Sequence, residues 1–249
     1  RVVASKPLVH THVKTLPYPG FPTDMQPQIG VTLALCKGTS TITESIFENR
    51  FKYLDELARM GAISKIEGNT ARIEGVEKLH GVKHHVIPDR IEAGTFMVAA
   101  AMTKGRVYLK NCRPNDLYAL TSKLNGIACD ILSTDNTILV KGYDRPQSVL
   151  TVETSPYPGF PTDLQAQILA LQTISNGTSV IVENIFETRF KHVGDLIKMG
   201  AQIVVKDRYA IVRGVSGLCG AKVNAHDLRG GASLVLAGLA AQGTTIVNN

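Results

Sequence analysis

The sequence is short of several things, and each shortage removes a class of protein. No apolar run approaches the ~18 residues that a membrane-crossing helix needs, so no such helix is expected. No basic-then-apolar leader opens the chain, which argues against secretion. The cysteines Cys36, Cys112, Cys129 and Cys219 form no C-x-x-C pair, and no histidine cluster has zinc spacing. A reduced, cytoplasmic protein without a zinc site is therefore expected. Low-complexity linkers are absent, and charged residues make up 19% against 44% apolar, the balance of a globular chain. The net charge of +6 is spread out rather than massed in a tail. It favours small anionic ligands such as phosphates or nucleotides. Without a basic-aromatic motif, nucleic acid is not indicated, and an RNA-processing role is the weakest of the readings. A chain of 249 residues forms one large domain or two small ones. It opens on Arg1 rather than a methionine, which reads as a fragment, or as a rearranged or engineered chain.

What the chain does have is a long internal repeat. Tyr157-Pro158-Gly159-Phe160-Pro161-Thr162-Asp163 repeats Tyr18-Pro19-Gly20-Phe21-Pro22-Thr23-Asp24, and the match runs without a gap to Gly200 and Gly61. The offset is constant (163 − 24 = 139; 189 − 50 = 139), and about half of the positions are identical. A period this clean marks a duplicated structural unit.

The first copy reads as strand, helix, strand, helix, hairpin. A strand is expected over 9–14. The Pro-rich turn follows, then a helix over 25–35 with Thr23 and Asp24 as cap residues. Residues 39–44 form a strand. Phe47, Phe51, Leu54, Leu57 and Met60 share one face of a helix over 47–60, which Gly61 ends. Residues 62–66 and 71–73 pair around Gly68-Asn69. A second unit of the same plan has a helix over 96–102, a strand over 106–109, a helix over 116–124, and strands over 129–132 and 138–141. The repeat copy is the third unit, over 149–213. A fourth starts at Ala221 with a helix over 232–241 and a strand over 244–247. It is left open unless Val2-Val3 or another segment closes it. Each unit is too small to hide its own apolar face. Three packed about a common axis would bury their helices centrally with sheets outside. The fold class is α+β, mixed α/β, in repeats of about 65 residues.

Longer motifs then carry a resemblance. Val86-Ile87-Pro88-Asp89-Arg90-Ile91-Glu92-Ala93-Gly94-Thr95, the second Pro-rich motif through Gln167, His226-Asp227-Leu228-Arg229 and the Leu236-Ala237-Gly238-Leu239-Ala240 helix are similar to the UDP-N-acetylglucosamine 1-carboxyvinyltransferases. These are the enolpyruvyl transferases that begin peptidoglycan synthesis. The match covers the family's C-terminal half from Gly75 onward. It implies a pseudo-threefold fold, transfer of enolpyruvyl from phosphoenolpyruvate to the 3-hydroxyl of UDP-N-acetylglucosamine, and no cofactor. The family's Lys-Asn pair, its Gly-rich loop with a reactive cysteine, and an arginine expected shortly beyond Asn249 are not found. In place of the N-terminal domain stands a copy of a C-terminal unit, joined at residues 73–81, a stretch that resembles the family's inter-domain junction. The expected division is residues 1–82 as a duplicated single unit and 83–249 as the enolpyruvyl-transferase-like domain, with units 83–148, 149–217 and a partial 218–249.

The resemblance implies Asp163 as the base that contacts the sugar, with Ile185, Arg189, Asp227 and Arg229 lining the cleft. Asp24, Ile46 and Arg50 are the weaker duplicate set. Beside each stands a plainer reading. Asp163 is also a good N-cap, Arg189 a solvated cation, Ile185 a core residue, and Asp227 an ordinary cap next to Gly230-Gly231. Thr188 departs from the asparagine that the family pattern expects and that the first copy has at Asn49. Asp89, Arg90 and Glu92 are expected to form junction salt bridges, and His84-His85 to be junction surface rather than a metal site. The chain alone is expected to be weak or inactive. The alternative is a non-catalytic repeat scaffold.

Overall fold

The computed structural model describes residues 7–47, 50–186 and 188–248. The chain separates into two compact units, Arg1–Val86 and Ile87–Asn249.

In the first unit, β1 (His12–Lys14) runs parallel to β2 (Thr39–Thr43), which pairs antiparallel with β4 (Thr70–Glu74), and β4 pairs with β3 (Ile63–Glu67). The sheet order is β1-β2-β4-β3. One face is covered by α1 (Gln26–Leu33) and α2 (Tyr53–Arg59). The core is small: Leu33, Ala34, Cys36, Ile42, Phe51, Leu54, Leu57, Ala62, Ala71 and Ile73. Gly68, at φ +61°, makes the tight β3–β4 turn, as the Gly68-Asn69 signal predicts.

The second unit opens with α3 (Arg90–Met102), followed by β5 (Arg106–Lys110), α4 (Tyr118–Leu124), β6 (Cys129–Ser133) and β7 (Thr137–Gly142), with sheet order β5-β7-β6. Next come β8 (Thr151–Glu153), α5 (Gln165–Ile174), β9 (Thr178–Val182), α6 (Val193–Lys198), β10 (Gln202–Lys206) and β11 (Tyr209–Arg213). Their order, β10-β11-β9-β8, repeats the first unit's sheet strand for strand. The chain continues with the short strands β12 (Leu218–Cys219) and β13 (Lys222–Asn224), then α7 (Leu228–Ala240), β14 (Ala241–Gln242) and β15 (Ile246–Asn248). β12 pairs with β14, and β13 with β15, both in parallel. Helices α3, α5 and α7 pack on one another, with the sheets outside. Their shared core includes Met97, Leu164, Ile168, Leu169, Leu234 and Ala237.

Several helix boundaries differ from expectation, for local reasons. The second helix of the first unit begins at Tyr53, not 47, because the Glu44 carboxylate accepts the N–H groups of Ile46 and Phe47 and holds them in a loop. Helix α1 is preceded by a 3-10 turn over Thr23–Met25, and neither Thr23 nor Asp24 caps it; the Thr23 hydroxyl donates to Glu44 instead. Helix α3 starts six residues before 96. Asp89 caps it by accepting from the N–H groups of Ile91 and Glu92, so it is a cap and not a junction ion pair. Helix α7 likewise starts at Leu228 rather than 232, capped by Asp227. Val2-Val3 and Asn49 lie outside the described residues.

Candidate active site

The site is built on the second copy of the Pro-rich motif. Its foundation is Glu183, a buried carboxylate just after β9. It accepts from the hydroxyls of Thr154 (2.9 Å) and Thr162 (2.8 Å) and from the N–H groups of Ile185 (2.8 Å) and Phe186 (3.1 Å). A buried charge persists only when its lone pairs are met in this way. The network ties the Pro-rich turn to the loop that leads to Arg189. Asp163 therefore stands where a guanidinium can reach it.

Arg189 donates through Nη2 to Asp163 Oδ1 at 2.6 Å and through Nη1 to Thr162 Oγ1 at 3.2 Å, with its guanidinium 5.1 Å over the Phe186 ring. Arg229, in the first turn of α7, donates through Nε to the same Asp163 oxygen at 3.3 Å. Two guanidiniums from different elements thus share one carboxylate oxygen. Burial pushes the Asp163 carboxyl up, but Arg189 and Arg229 together outweigh it and hold it below the usual aspartate value. The Asp163 side chain is still 42% exposed, so a ligand can approach the cluster. The helix-cap reading of Asp163 does not hold, since its side chain makes no cap bond.

Asp227 fills its plainer role. Its carboxylate accepts the Gly230 N–H at 2.7 Å and so fixes the turn from which Arg229 projects. Ile185 is half-buried beside Glu183, and Thr188 is exposed. Arg90 forms no ion pair among the described residues; its guanidinium lies 5.2 Å over the Tyr157 ring of the Pro-rich turn. Helix α3 keeps close to that turn because Gly94 packs on Leu164, where an added Cβ would sit 2.8 Å from Cδ1. His84 pairs with Glu56 at 3.1 Å, and among the described residues no His, Cys, Asp and Glu group could hold a metal.

His192 is the site's buried neighbour. Its Cβ lies 2.9 Å from where a Cβ on Gly230 would stand, so glycine is needed for α7 to start this close. Neither ring nitrogen makes a hydrogen bond of good geometry to a described residue. Burial pushes its pKa down to about 4, with Arg189 adding to the fall and Asp227 and Asp195 opposing it. The imidazole is therefore neutral near Arg189.

The first copy keeps part of this arrangement. Glu44 accepts from Thr15 (2.8 Å), Thr23 (2.8 Å), Ile46 (2.9 Å) and Phe47 (3.2 Å), the same four positions shifted by 139 (183 − 44 = 139). Arg50 donates to Asp24 at 2.6 Å and lies 5.0 Å over Phe47. Asp24 is 85% exposed, however, and no second guanidinium meets it among the described residues. The Glu-Thr-Thr networks were not singled out in the sequence. Their signal was there, since Thr15, Thr23 and Glu44 recur unchanged as Thr154, Thr162 and Glu183.

The chain is similar to several known enolpyruvyl transferases. The 48% identical UDP-N-acetylglucosamine 1-carboxyvinyltransferase of Geobacter metallireducens aligns over 225 residues, 89% of this chain and 53% of that protein. The protein of the same name from Koribacter versatilis is 52% identical over 197 residues, 77% of this chain and 44% of that one. The chain thus spans about half the length of the curated relatives it matches. Among solved structures, the enolpyruvyl transferase NikO from Streptomyces tendae superposes with a TM-score of 0.74 at 23% identity, covering 100% of this chain and 63% of that one. EPSP synthase from Acinetobacter baumannii follows at a TM-score of 0.64 and 21% identity, covering 98% and 59%. These likenesses show the enolpyruvyl-transferase fold. The description EPSP synthase (3-phosphoshikimate 1-carboxyvinyltransferase) matches residues 1–72 and 62–249, which together span the whole sequence, and the chain belongs to that family.

Proposed function

We propose that the second unit supplies one wall of a carboxyvinyl-transfer site acting on UDP-N-acetylglucosamine and phosphoenolpyruvate, the first step committed to peptidoglycan. The single observation that carries this reading is the Asp163 carboxylate held by Arg189 and Arg229 at a half-exposed position. In the reaction, the sugar 3-hydroxyl oxygen bonds to C2 of phosphoenolpyruvate while its proton goes to Asp163 and C3 takes up a proton from an acid outside this unit, so that the C2=C3 double bond becomes single. C3 then loses a proton to a base, the double bond re-forms, and the C2–O bond to phosphate breaks, releasing phosphate. Arg189 and Arg229 are the cations for the phosphate or carboxylate of the donor. An anion that draws them from Asp163 also raises the basicity of that carboxylate, coupling donor binding to proton removal. Ile185 lines the sugar-nucleotide side, and Asp227 holds Arg229 in place. The reading needs no cofactor and places the chain in the cytoplasm.

The chain by itself is expected to turn over very slowly, because it carries neither the Lys-Asn pair nor the Gly-rich cysteine loop. A phosphate-release assay with both substrates checks this; turnover near that of a full-length transferase sinks it. Calorimetry with UDP-N-acetylglucosamine tests the wall itself. Weak binding is expected, lost in Arg189→Ala and kept in Arg50→Ala. A non-catalytic repeat scaffold is the second reading. The Asp24–Arg50 pair favours it, because that pair persists where no second arginine among the described residues joins it. Absence of any binding would favour the scaffold.

A further inference from the structure

The two sheets have the same order and register, but their outer faces and free edges differ in chemistry. In the first unit, edge strand β3 carries Lys65 at its centre, opposite Arg72 on β4, with Lys65 paired to Glu67 at 2.7 Å. A charge in the middle of an edge strand is a common guard against unwanted pairing. In the second unit, edge strand β10 carries Val204 at that position, opposite Ile211 on β11. Val204 is 65% exposed and Ile211 48%. Thr70 of the first copy is likewise Tyr209 in the second, and Tyr209 is exposed. The face at the β3 edge thus carries Lys65 and Arg72 beside the exposed Ile63, whereas at the β10 edge Val204, Ile211 and Tyr209 are exposed between the polar Gln202 and Lys206, so folding alone does not require the apolar centre of β10.

We infer that β10 pairs antiparallel with β10 of a second copy of this chain, across a two-fold axis through Val204. The sequence Gln202-Ile203-Val204-Val205-Lys206 suits that register. Val204 meets Val204, Ile203 meets Val205, and Lys206, the strand's one charge, meets Gln202. No like charges face each other. The same operation on β3 sets Lys65 against Lys65 with Arg72 on either flank, a repulsive arrangement. Charge compatibility thus selects β10 and rejects β3. The pairing joins two four-stranded sheets into one of eight, and an apolar strip runs Ile211, Val204, Val204, Ile211 across the axis. Such an isologous contact is self-complementary by construction, and the main chain supplies the bonds. Two five-residue edges bury less than the ~800 Å² per partner of a standard interface, so the dimer is weak, with a Kd on the order of 10–100 µM.

Sedimentation equilibrium of the full chain over a concentration series tests this. Reversible monomer–dimer behaviour is expected. Val204→Lys, which installs the first copy's residue, should weaken dimerisation at least tenfold, while Gln202→Glu, facing Lys206 of the other copy, should strengthen it. Val204→Cys should give a disulfide-linked dimer on mild oxidation, because directly opposed antiparallel residues have Cα separations that a disulfide spans. The parent chain, with its exposed Cys219, and Lys65→Cys serve as controls and should not cross-link at that rate. Circular dichroism verifies that each variant is folded. A chain that stays monomeric throughout the series, or a dimer indifferent to Val204→Lys, overturns the inference.

Discussion

Two copies of one motif, offset by 139 residues, fold the same way and end in different electrostatic states (163 − 24 = 139). Each has a Tyr-Pro-Gly-Phe-Pro-Thr-Asp turn, a buried glutamate fastened by two threonines, and an arginine at 2.6 Å from the aspartate. In the second copy, α7 adds Arg229, and every position of α5 from Gln165 to Thr173 is buried. In the first copy, Val31 of α1 and Leu35 just beyond its end stay 40% and 45% exposed. The motif therefore encodes a local scaffold, and among the described residues a second cation reaches it only where a third element supplies one. The glutamate network is common to both; the guanidinium pair is not.

The sharpest way to break this comparison is to remove the shared glutamate from each copy in turn. Glu44→Ala or Glu183→Ala strips the acceptor from two buried hydroxyls and two partly buried N–H groups, at a cost of roughly 4 kcal/mol. The loss is similar, but the reserves are not. The first unit rests on ten buried core side chains, whereas the second has the joint core of α3, α5 and α7. Limited proteolysis with mass mapping should find the first unit cut in Glu44→Ala, and the second unit still protected, at lower stability, in Glu183→Ala. Equal cutting of both units would mean that core size does not decide the outcome.

Acid separates the copies next. His192 occupies the position that Tyr53 holds in the first copy (192 − 139 = 53), and burial drives its pKa to about 4. Between about pH 6.5 and 4 the unfolded chain binds a proton there that the folded chain refuses, so stability falls as pH drops through that window. The full effect is roughly 3 kcal/mol. Tyr53, whose pKa burial raises to about 12, adds nothing below pH 9. Asp163 acts lower down. Its depressed pKa contributes stability above the ordinary aspartate value, and this is lost only as pH falls through the folded value. Hydrogen exchange at pH 7, 5.5 and 4.5 should show the second unit loosening first, and His192→Phe should abolish that response. A pH-independent second unit would place water at the imidazole.

The scaffold was largely legible in the sequence, because a repeat supplies its own alignment. The strand, helix, strand, helix, hairpin order of the unit and the β3–β4 turn at Gly68-Asn69 followed from the residues, whereas the choice of Asp163 and Arg189 rested on the family resemblance. The misreadings have one physical source. Phe47 keeps helical spacing with Phe51, and Thr23-Asp24 looks like a cap, but periodicity and capping preference ignore a buried carboxylate that takes other donors. Glu44 accepts the N–H groups of Ile46 and Phe47 and the Thr23 hydroxyl, and Glu183 does the same at Ile185, Phe186 and Thr162. Asp89 misled in the opposite direction, since it is a local cap, and the helices that Asp89 and Asp227 cap begin several residues earlier than the alanine-rich stretches suggest. The convergence of Arg229 on Asp163, 66 residues away, is a tertiary fact that the family resemblance supplied and spacing did not.

A smaller effect sharpens why the copies cannot exchange parts. In the first copy Gly30 leaves room for Tyr53, and a Cβ there would collide with the Tyr53 Oη. The second copy has Leu169 and His192 at the same two positions (169 − 139 = 30), with Leu169 fully buried. The larger aromatic goes with the missing side chain. Gly30→Leu alone should cost about 2 kcal/mol by overpacking, and Tyr53→His should recover much of it. Additivity of the two substitutions in a urea denaturation cycle would show that these positions do not share one space.

The smallest expected difference bears most directly on the site. Asp24→Ala removes half of an ion pair whose carboxylate is 85% exposed, where solvent screens most of the attraction, so stability should move by less than about 0.5 kcal/mol. Asp163→Ala leaves Arg189 and Arg229 facing each other with no anion between them, with side chains only 16% and 28% exposed. Even after discounting for the 42% exposure of Asp163, the cost should reach about 1 kcal/mol and should shrink in high salt. The informative quantity is the difference between the two variants, since their backbones and their first arginine are alike. Equal costs would mean that the second guanidinium contributes nothing at rest, and that the pair at Asp163 is packing rather than a charge cluster waiting for an anion.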